Sequence, residues 1–288
     1  MEAAGKRYIC YGSRSDKIRI WNLSDIHWMS KACAEDDVRA DIRKIKDDPY
    51  SFWLGGGDYA DFIGYTDKRF DPDAVASWVD VANLGNLGRF GMEQIRDLFE
   101  PIKHKCLGLL LGNHEKRYEL FTQQESLHSW LCTELGVPNL QYSAIMDVVF
   151  VRRCGLRKPV LQWKVLAKNK GNGSRAFRIY CHHGAGFATT PGGKLNKLIQ
   201  FMQSFDADLF FCGHVHDRTA RKEPALGADA ACKKLTQRVR LGVIAGSYLK
   251  TYQQGTTTYG EQRGYRPTSL GASIVEITPD KNEAFAMV

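Results

Sequence analysis

The chain has 288 residues, 43% of them hydrophobic and 25% charged, with a formal net charge of +8 and a pI near 9.0. That length supplies a core for one large domain or two modest ones, and the composition is that of a globular chain rather than a disordered or fibrous one. No apolar run approaches the ~20 residues that span a bilayer, and Met1–Gly12 lacks the apolar centre of a signal peptide, so neither a membrane helix nor secretion is expected.

Eight cysteines, at 10, 33, 106, 132, 154, 181, 212 and 232, show no CxxC spacing. Cys106, Cys181 and Cys212 lie inside apolar runs and read as small buried hydrophobes. A reduced, cytoplasmic protein is therefore expected rather than a disulfide framework or a structural zinc site. The basic excess suits a nucleic-acid partner or an anionic substrate, or equally a solvated surface with no specific role, since no dense Lys/Arg block is present.

In chain order, Lys17–Leu23 is the first predicted strand, opening onto Ser24-Asp25-Ile26-His27. Lys31–Asp47 reads as a charged amphipathic helix stopped by Pro49. Ser51–Leu54 is a second strand, after which Gly55–Gly57 lets the backbone turn tightly before Asp58. Asp73–Asn83 and Gly91–Ile102 read as helices, Cys106–Leu111 as a short buried strand ending at Gly112-Asn113-His114-Glu115, and Phe121–Leu135 as a further helix.

Residues 141–180 are rich in β-forming runs, broken by Gly155 and by a hairpin signal at 169–173, and predict a second, antiparallel sheet. Their Arg152, Arg153, Arg157, Lys158, Lys164, Lys168 and Lys170 either grip a polyanion or protect exposed strand edges. Pro191–Phe205 reads as a helix; its Gly192-Gly193-Lys194 entrance could hold phosphate but lacks a full P-loop pattern. Asp208–Cys212, Val239–Ala245 and Ser273–Ile277 read as strands. The loop at about 247–268 interleaves Tyr248, Tyr252, Tyr259 and Tyr265 with Lys250, Arg263 and Arg266, a pattern that stacks on nucleic acid or packs on the protein itself.

Five strand-like runs thus end in polar residues: Asp25 and His27, Asp58 with Asp61, Asn113 with His114, His182-His183, and His214 with His216. Ligands of open α/β sheets bind outside the carboxyl ends of the strands. Imidazole and carboxylate without thiolate suit Mn, Fe, Zn, Co or Ni. Counted as Asp25, His27, Asp58, Asn113, one of the His182-His183 pair, His214 and His216, seven such ligands are too many for one ion and fit two that share a carboxylate. Two ions ~3.5–4 Å apart clamp the attacking and leaving oxygens of an in-line displacement, which is the geometry of phosphoester hydrolysis.

The blocks DIH, GDYAD, GNHE, HHG and GHVH, in this order between Ile18 and Asp217, resemble the five signature blocks of the calcineurin-like metallophosphoesterases. The resemblance implies an α/β fold, a four-layer α-β-β-α sandwich of two mixed sheets, in a single domain over residues 1–288. It implies two divalent ions, manganese foremost, with iron, zinc or nickel as alternatives. Asp25, His27, Asp58 and His216 would hold one ion, and Asp58, Asn113, His214 and His183 the other. His183 is preferred over His182 because the family's ligand histidine commonly stands directly before glycine, and neighbours on a strand point to opposite faces. His114 would be the general acid or a donor to the transition-state phosphate, and Asp61 the carboxylate that orients it, a turn-capping role being the alternative.

Glu115 would support the site from behind or lie on the surface, and Arg117 would touch phosphate or make an exposed salt bridge. Protein phosphatases of the superfamily carry arginine directly after the GDxxD block, where this chain has Phe62, which argues against phosphoprotein recognition. HGAGF, TPGGKLNKLI, DADLFFCGHVHD and the tail GSYLKTY…YGEQRGYRP resemble a branch common in bacteriophage and prophage genomes. The expected activity is metal-dependent hydrolysis of a phosphodiester, DNA, RNA or a nucleotide, a preference resting on the basic charge and the aromatic-basic loop. A phosphomonoesterase or protein phosphatase is the alternative among enzymes, and a metal-poor interaction scaffold the alternative outside them. No membrane partner is expected, and the sequence leaves the oligomeric state open.

Overall fold

The computed structural model describes every residue except 65, 66, 68, 69, 123–125, 165–173, 187 and 230, and residue 122 by its backbone alone. The first half of the chain forms β1 (Glu2–Tyr11), β2 (Ile18–Leu23), α1 (Glu35–Asp47), β3 (Ser51–Gly55), α2 (Val81–Leu84), α3 (Leu87–Phe99), β4 (Cys106–Leu109), α4 (Asn113–Thr122) and α5 (Leu127–Leu135). Next come β5 (Ser143–Arg152), β6 (Val160–Gln162), β7 (Ser174–His182), α6 (Pro191–Ser204) and β8 (Leu209–Cys212). The chain closes with β9 (Thr219–Ala228), β10 (Leu235–Ile244), α7 (Tyr259–Gln262), β11 (Ser273–Thr278) and β12 (Glu283–Met287).

The strands make two mixed sheets, one in the order β6-β1-β5-β7-β8-β10-β9 and the other β12-β11-β2-β3-β4. Side chains alternate between the faces of a strand, so each sheet has an inner and an outer set. From one sheet Ile18, Ile20, Phe52, Leu54 and Leu107, and from the other Val148, Phe150, Ile179, Phe211 and Val243, meet in one buried cluster between the sheets. The intervening residues point outward. Trp21, Leu23 and Trp53 pack beneath α1, α3 and α5 through Val38, Ile42, Ile95, Phe99 and Leu131. Tyr180, Phe210 and Ile244 pack beneath α6 through Leu198 and Met202. Three cores between four layers give an α-β-β-α sandwich. Each fully buried side chain such as Phe52 or Phe211 contributes ~1.5–3 kcal/mol relative to exposure, so the sheets are held face to face.

Several local expectations are corrected. Glu2–Tyr11 is a strand although the pattern marks none before Lys17, because residues 2–6 are mostly exposed and charged or small and only its second half is buried. Residues 141–180 do not make a sheet of their own: β5 and β7 pair antiparallel, but β5 also lies parallel to β1 and β7 parallel to β8. The hairpin signal at 169–173 and Lys168 and Lys170 fall outside the described residues. α1 starts only at Glu35, since the amides of Lys31 and Ala34 bond instead to Ala74 and Tyr248. The expected helix Asp73–Asn83 reduces to a turn of 3-10 helix at Pro72–Ala74 and the short α2, because Val75 bridges to Ser30 and the Ala76 amide bonds to Met29. α3 begins at Leu87, earlier than the expected Gly91, and gives way before Pro101 to a 3-10 turn over Glu100–Lys105. The described parts of Phe121–Leu135 belong to two helices, α4 and α5, the second capped by the Ser126 hydroxyl. Among the described residues no helix is long and apolar enough to cross a membrane.

Candidate metal centre and active site

β2, β3 and β4 run parallel in one sheet, as do β7 and β8 in the other, and the site segments leave their C-terminal ends. Leaving them, the backbone turns sharply. Asp25, His27, Asp58, His214 and His216 have φ of 55°, 50°, 53°, 68° and 48°, a region that disfavours residues with a Cβ. Each such residue stores of order 1–3 kcal/mol and persists only where its surroundings over-determine it. Here they do. The Asp25 amide bonds to the Gly57 carbonyl at 2.9 Å, and the Asp25 carbonyl accepts from the Tyr248 amide at 2.9 Å and the Ser247 hydroxyl at 3.0 Å. The His27 amide bonds to the Asp58 carbonyl at 3.1 Å. Gly112 presses on the other side of Asp58, where a Cβ would overlap the Asp58 backbone nitrogen and carboxylate.

The result is three overlapping triads, Asp25–His27–His216, His27–Asp58–His114 and Asp58–His183–His214, each with ligand atoms within 4.8 Å of one another. Asp25 Oδ1 lies 3.1 Å from His216 Nε2, while Oδ2 accepts from the Ser24 hydroxyl at 2.5 Å and the His214 amide at 2.9 Å. Asp58 Oδ1 accepts the His114 amide at 2.8 Å, and Oδ2 lies 3.4 Å from His183 Nε2. His183 donates from Nδ1 to the Gly56 carbonyl at 2.7 Å, which turns Nε2 toward Asn113 Oδ1, 2.9 Å away. Were the Asn113 amide reversed, its nitrogen would donate to His183 Nε2, His214 Nδ1 and Asp58 Oδ2 at 2.9, 2.7 and 3.2 Å. Acceptors therefore crowd one point, where either a donor or a cation must sit. His27 is 3% exposed, and neither ring nitrogen has a hydrogen-bond partner. A buried imidazole without partners is costly, and a divalent cation would satisfy it. The nitrogen and oxygen donors fit such an ion.

Charges in this buried space act strongly on one another. Burial pushes the Asp25 carboxyl up, but His216 and His183 outweigh it and bring its pKa down to about 2. Burial likewise raises Asp58, yet His183 and His114 hold it well below the usual carboxylate range. Burial alone would lower His114; Asp58 and Asp61 overcome it and raise its pKa to about 9. His114 Nδ1 stands 3.2 Å from Asp61 Oδ1, which leaves Nε2 for a substrate. His27, by contrast, is lowered to about 4 by burial and by His114.

All nine residues expected at the site are brought together. His182 turns away: its Nδ1 accepts the Gly184 amide at 2.8 Å and its ring stacks on Phe201. Glu115 is not a surface residue. It is fully buried, and its carboxylate accepts the amides of Asp58 at 3.1 Å and Tyr59 at 2.6 Å. Burial, then Asp58, raise its pKa to about 7. Arg117 pairs with Asp67 at 3.4 Å. Phe62 is buried against Tyr118. Lys194 at the entrance of α6 reaches the His216 carbonyl at 3.5 Å. Tyr248 is not a stacking platform: it is fully buried and donates to Asp41 at 2.8 Å. Tyr252 and Tyr259 are 48% and 49% exposed. Sequence reasoning missed Ser24, Ser247 and Tyr142; the partners of Ser247 and Tyr142, Asp25 and His183, lie far along the chain, and only Ser24, next to its partner Asp25, carries a local signal.

Among solved structures the chain is similar to a predicted phosphoesterase of Streptococcus pneumoniae, at 13% identity and a TM-score of 0.32, covering 94% of this chain and 99% of that one. It is similar to the calcineurin-like phosphoesterase YfkN of Bacillus subtilis, at 11% identity and a TM-score of 0.38, covering 90% and 84%. It also resembles the NAD nucleotidase of Haemophilus influenzae, at 10% identity and a TM-score of 0.40, covering 95% of this chain and 49% of that one. No curated protein matches. The family description of calcineurin-like phosphoesterases matches residues 18–218, a span that contains every residue of the three triads. With that match over most of its length, the chain belongs to the calcineurin-like phosphoesterase family and is a hydrolase acting on phosphate esters.

Proposed function

We propose that the chain, as one catalytic unit over residues 1–288, is a dinuclear metal-dependent phosphodiesterase acting on a nucleic acid or a nucleotide. Asp25, His27, Asp58 and His216 hold one ion; Asp58, Asn113, His183 and His214 hold the second, with manganese the preferred metal. The observation that carries the reading is that Asp58 belongs to two of the three ligand triads, as a carboxylate shared by two ions must. When bound, the ions neutralise phosphoryl oxygens and acidify the attacking water. The residues do the rest. His114, held at Nδ1 by Asp61, presents Nε2 to give a proton to the leaving oxygen. Glu115 holds the Asp58 backbone amide, the His114 amide holds its carboxylate, and Gly112 leaves that carboxylate room.

The preference for a nucleotide-bearing diester is supported by the net charge of +8 and by the half-exposed Tyr259, over which Arg263 lies 5.3 Å from the ring centroid. Eight free cysteines, six of them buried, suit a cytoplasmic setting. Metal analysis together with turnover of bis(p-nitrophenyl) phosphate tests the centre. Two bound ions and metal-rescued activity are expected, whereas no metal and no rescue would make the chain a scaffold. Linear DNA, RNA, cyclic nucleotides and phosphomonoesters, each assayed with Mn, test the substrate. Faster turnover of the monoesters would overturn the diester assignment.

A further inference from the structure

α4 begins at Asn113 and runs outward from the metal centre, and one face of it lines a groove of about 420 Å³. Lys116, Arg117, Leu120 and Phe121 follow Asn113 at helical spacing of three and four, and Tyr142 forms the opposite wall. The inner end of the groove is thus a proposed metal ligand. One turn out, ~6 Å along the helix, stand the two cations; two turns out, ~12 Å, stand Leu120 and Phe121. These last two are 67% and 70% exposed, an apolar pair left in water beside an active site. The Arg117 guanidinium lies over the Phe121 ring, 5.2 Å from its centroid, and so braces that ring. Tyr142 packs edge-on against His183 with centroids 5.4 Å apart, which ties the far wall to the metal centre.

We propose that this groove is the subsite for the nucleobase of the substrate, with Phe121 and Tyr142 as its stacking surfaces and Lys116 beside the reacting phosphate. The proposal rests on the phosphodiesterase reading above and extends it. A proposed metal ligand, a cation beside it and aromatic rings beyond suit a nucleotide ester, whose single anionic phosphate is joined through a neutral sugar to an aromatic base. An aliphatic ester group or a simple anion would make no use of the rings. Every base has a π-face, so the subsite would accept different bases with little sequence preference. Its dimensions fall within the range of small-molecule sites.

The test uses two esters with the same leaving group, thymidine 5′-(p-nitrophenyl phosphate) and methyl p-nitrophenyl phosphate, with the Mn-loaded enzyme. The thymidine ester should have the higher kcat/KM, and Phe121→Ala should shrink the ratio of the two by roughly 5- to 100-fold, mainly through KM. Leu120→Ala should shrink it less. A ratio unchanged in Phe121→Ala overturns the proposal. A second readout needs no turnover: saturation-transfer NMR of thymidine 5′-monophosphate with the Zn-loaded protein should show saturation at the thymine ring protons that Phe121→Ala abolishes. Thymine saturation absent from the wild type overturns the subsite even if both esters are cleaved. Failure to cleave either ester, with thymine saturation intact, overturns the phosphodiesterase reading and leaves the base subsite standing.

Discussion

Glu115 gives the sharpest energetic test of how the centre is built. Its carboxylate is fully buried and takes two backbone donors, from Asp58 and Tyr59, across a separation of 57 and 56 residues. In Glu115→Gln one carboxylate oxygen becomes an NH₂ that must face an N–H, so one buried donor loses its acceptor. That loss is worth ~1–3 kcal/mol, and relief of repulsion from Asp58 offsets part of it. In Glu115→Ala both donors are stranded and a cavity is added, so roughly 2–6 kcal/mol should go. Because the same bonds fix the turn that aims Asp58, metal affinity should weaken with stability, by roughly 10- to 100-fold, the usual effect of losing a group that orients a ligand. Urea unfolding of the metal-free protein measures the first effect, and Mn titration against a competing chelator the second. Wild-type metal affinity in Glu115→Gln, whatever its stability, would refute the link between this carboxylate and the ligand.

Further outcomes follow from the same geometry. Asp58→Asn should lose or weaken both ions, read as metal stoichiometry, because the lost charge serves two triads; retention of both at wild-type rate would exclude a shared carboxylate. His183→Ala should lower the metal content from two ions to one, while His182→Ala should keep both and reduce stability through its contacts with Phe201 and Gly184; the reverse stoichiometry would move the ligand. His114→Ala should keep both ions and slow hydrolysis by roughly 10²–10⁴-fold for alkyl leaving groups but far less for p-nitrophenolate. A uniform loss across leaving groups would assign His114 to phosphate binding instead. Burial of His128, only partly offset by its bond to Asn139, lowers its pKa to about 4. The unfolded chain therefore binds a proton more readily than the folded one between pH 6.5 and 4, and stability falls as the pH drops through that window. The His128 share is about 2 kcal/mol between pH 7 and pH 5. His128→Gln should flatten that part of the urea-unfolding profile, and an unchanged acid limb would contradict the assignment.

The site was far more legible in the sequence than the scaffold. Asp25, Asp58, Asn113 and His214 stand just after short apolar runs, so strand, turn and candidate ligand are written side by side. β9 escaped notice because Thr219–Ala228 has polar and apolar residues exposed on both faces and includes Pro224, which leaves no two-residue period to read. β5, β7 and β8 were recognised as strands, but β1 and its parallel pairing with β5 were not, since pairing across 142 residues, as between Glu2 and Ala144, leaves no local trace. Glu115 was ambiguous for a related reason. A carboxylate in sequence suggests water, and only the distant amides of Asp58 and Tyr59 make its burial tolerable. Tyr248 reversed in the opposite sense: set among exposed tyrosines and basic residues, it instead serves the core through Asp41 and Asp25.

The left-handed backbone at Asp25, His27, Asp58, His214 and His216 sets backbone strain against side-chain bonding. Glycine would adopt the same turns without the Cβ penalty, but at Asp25 and Asp58 it would strand the amides of His214 and His114 and leave cavities. The strained turns and the donor groups that they carry thus stand or fall together.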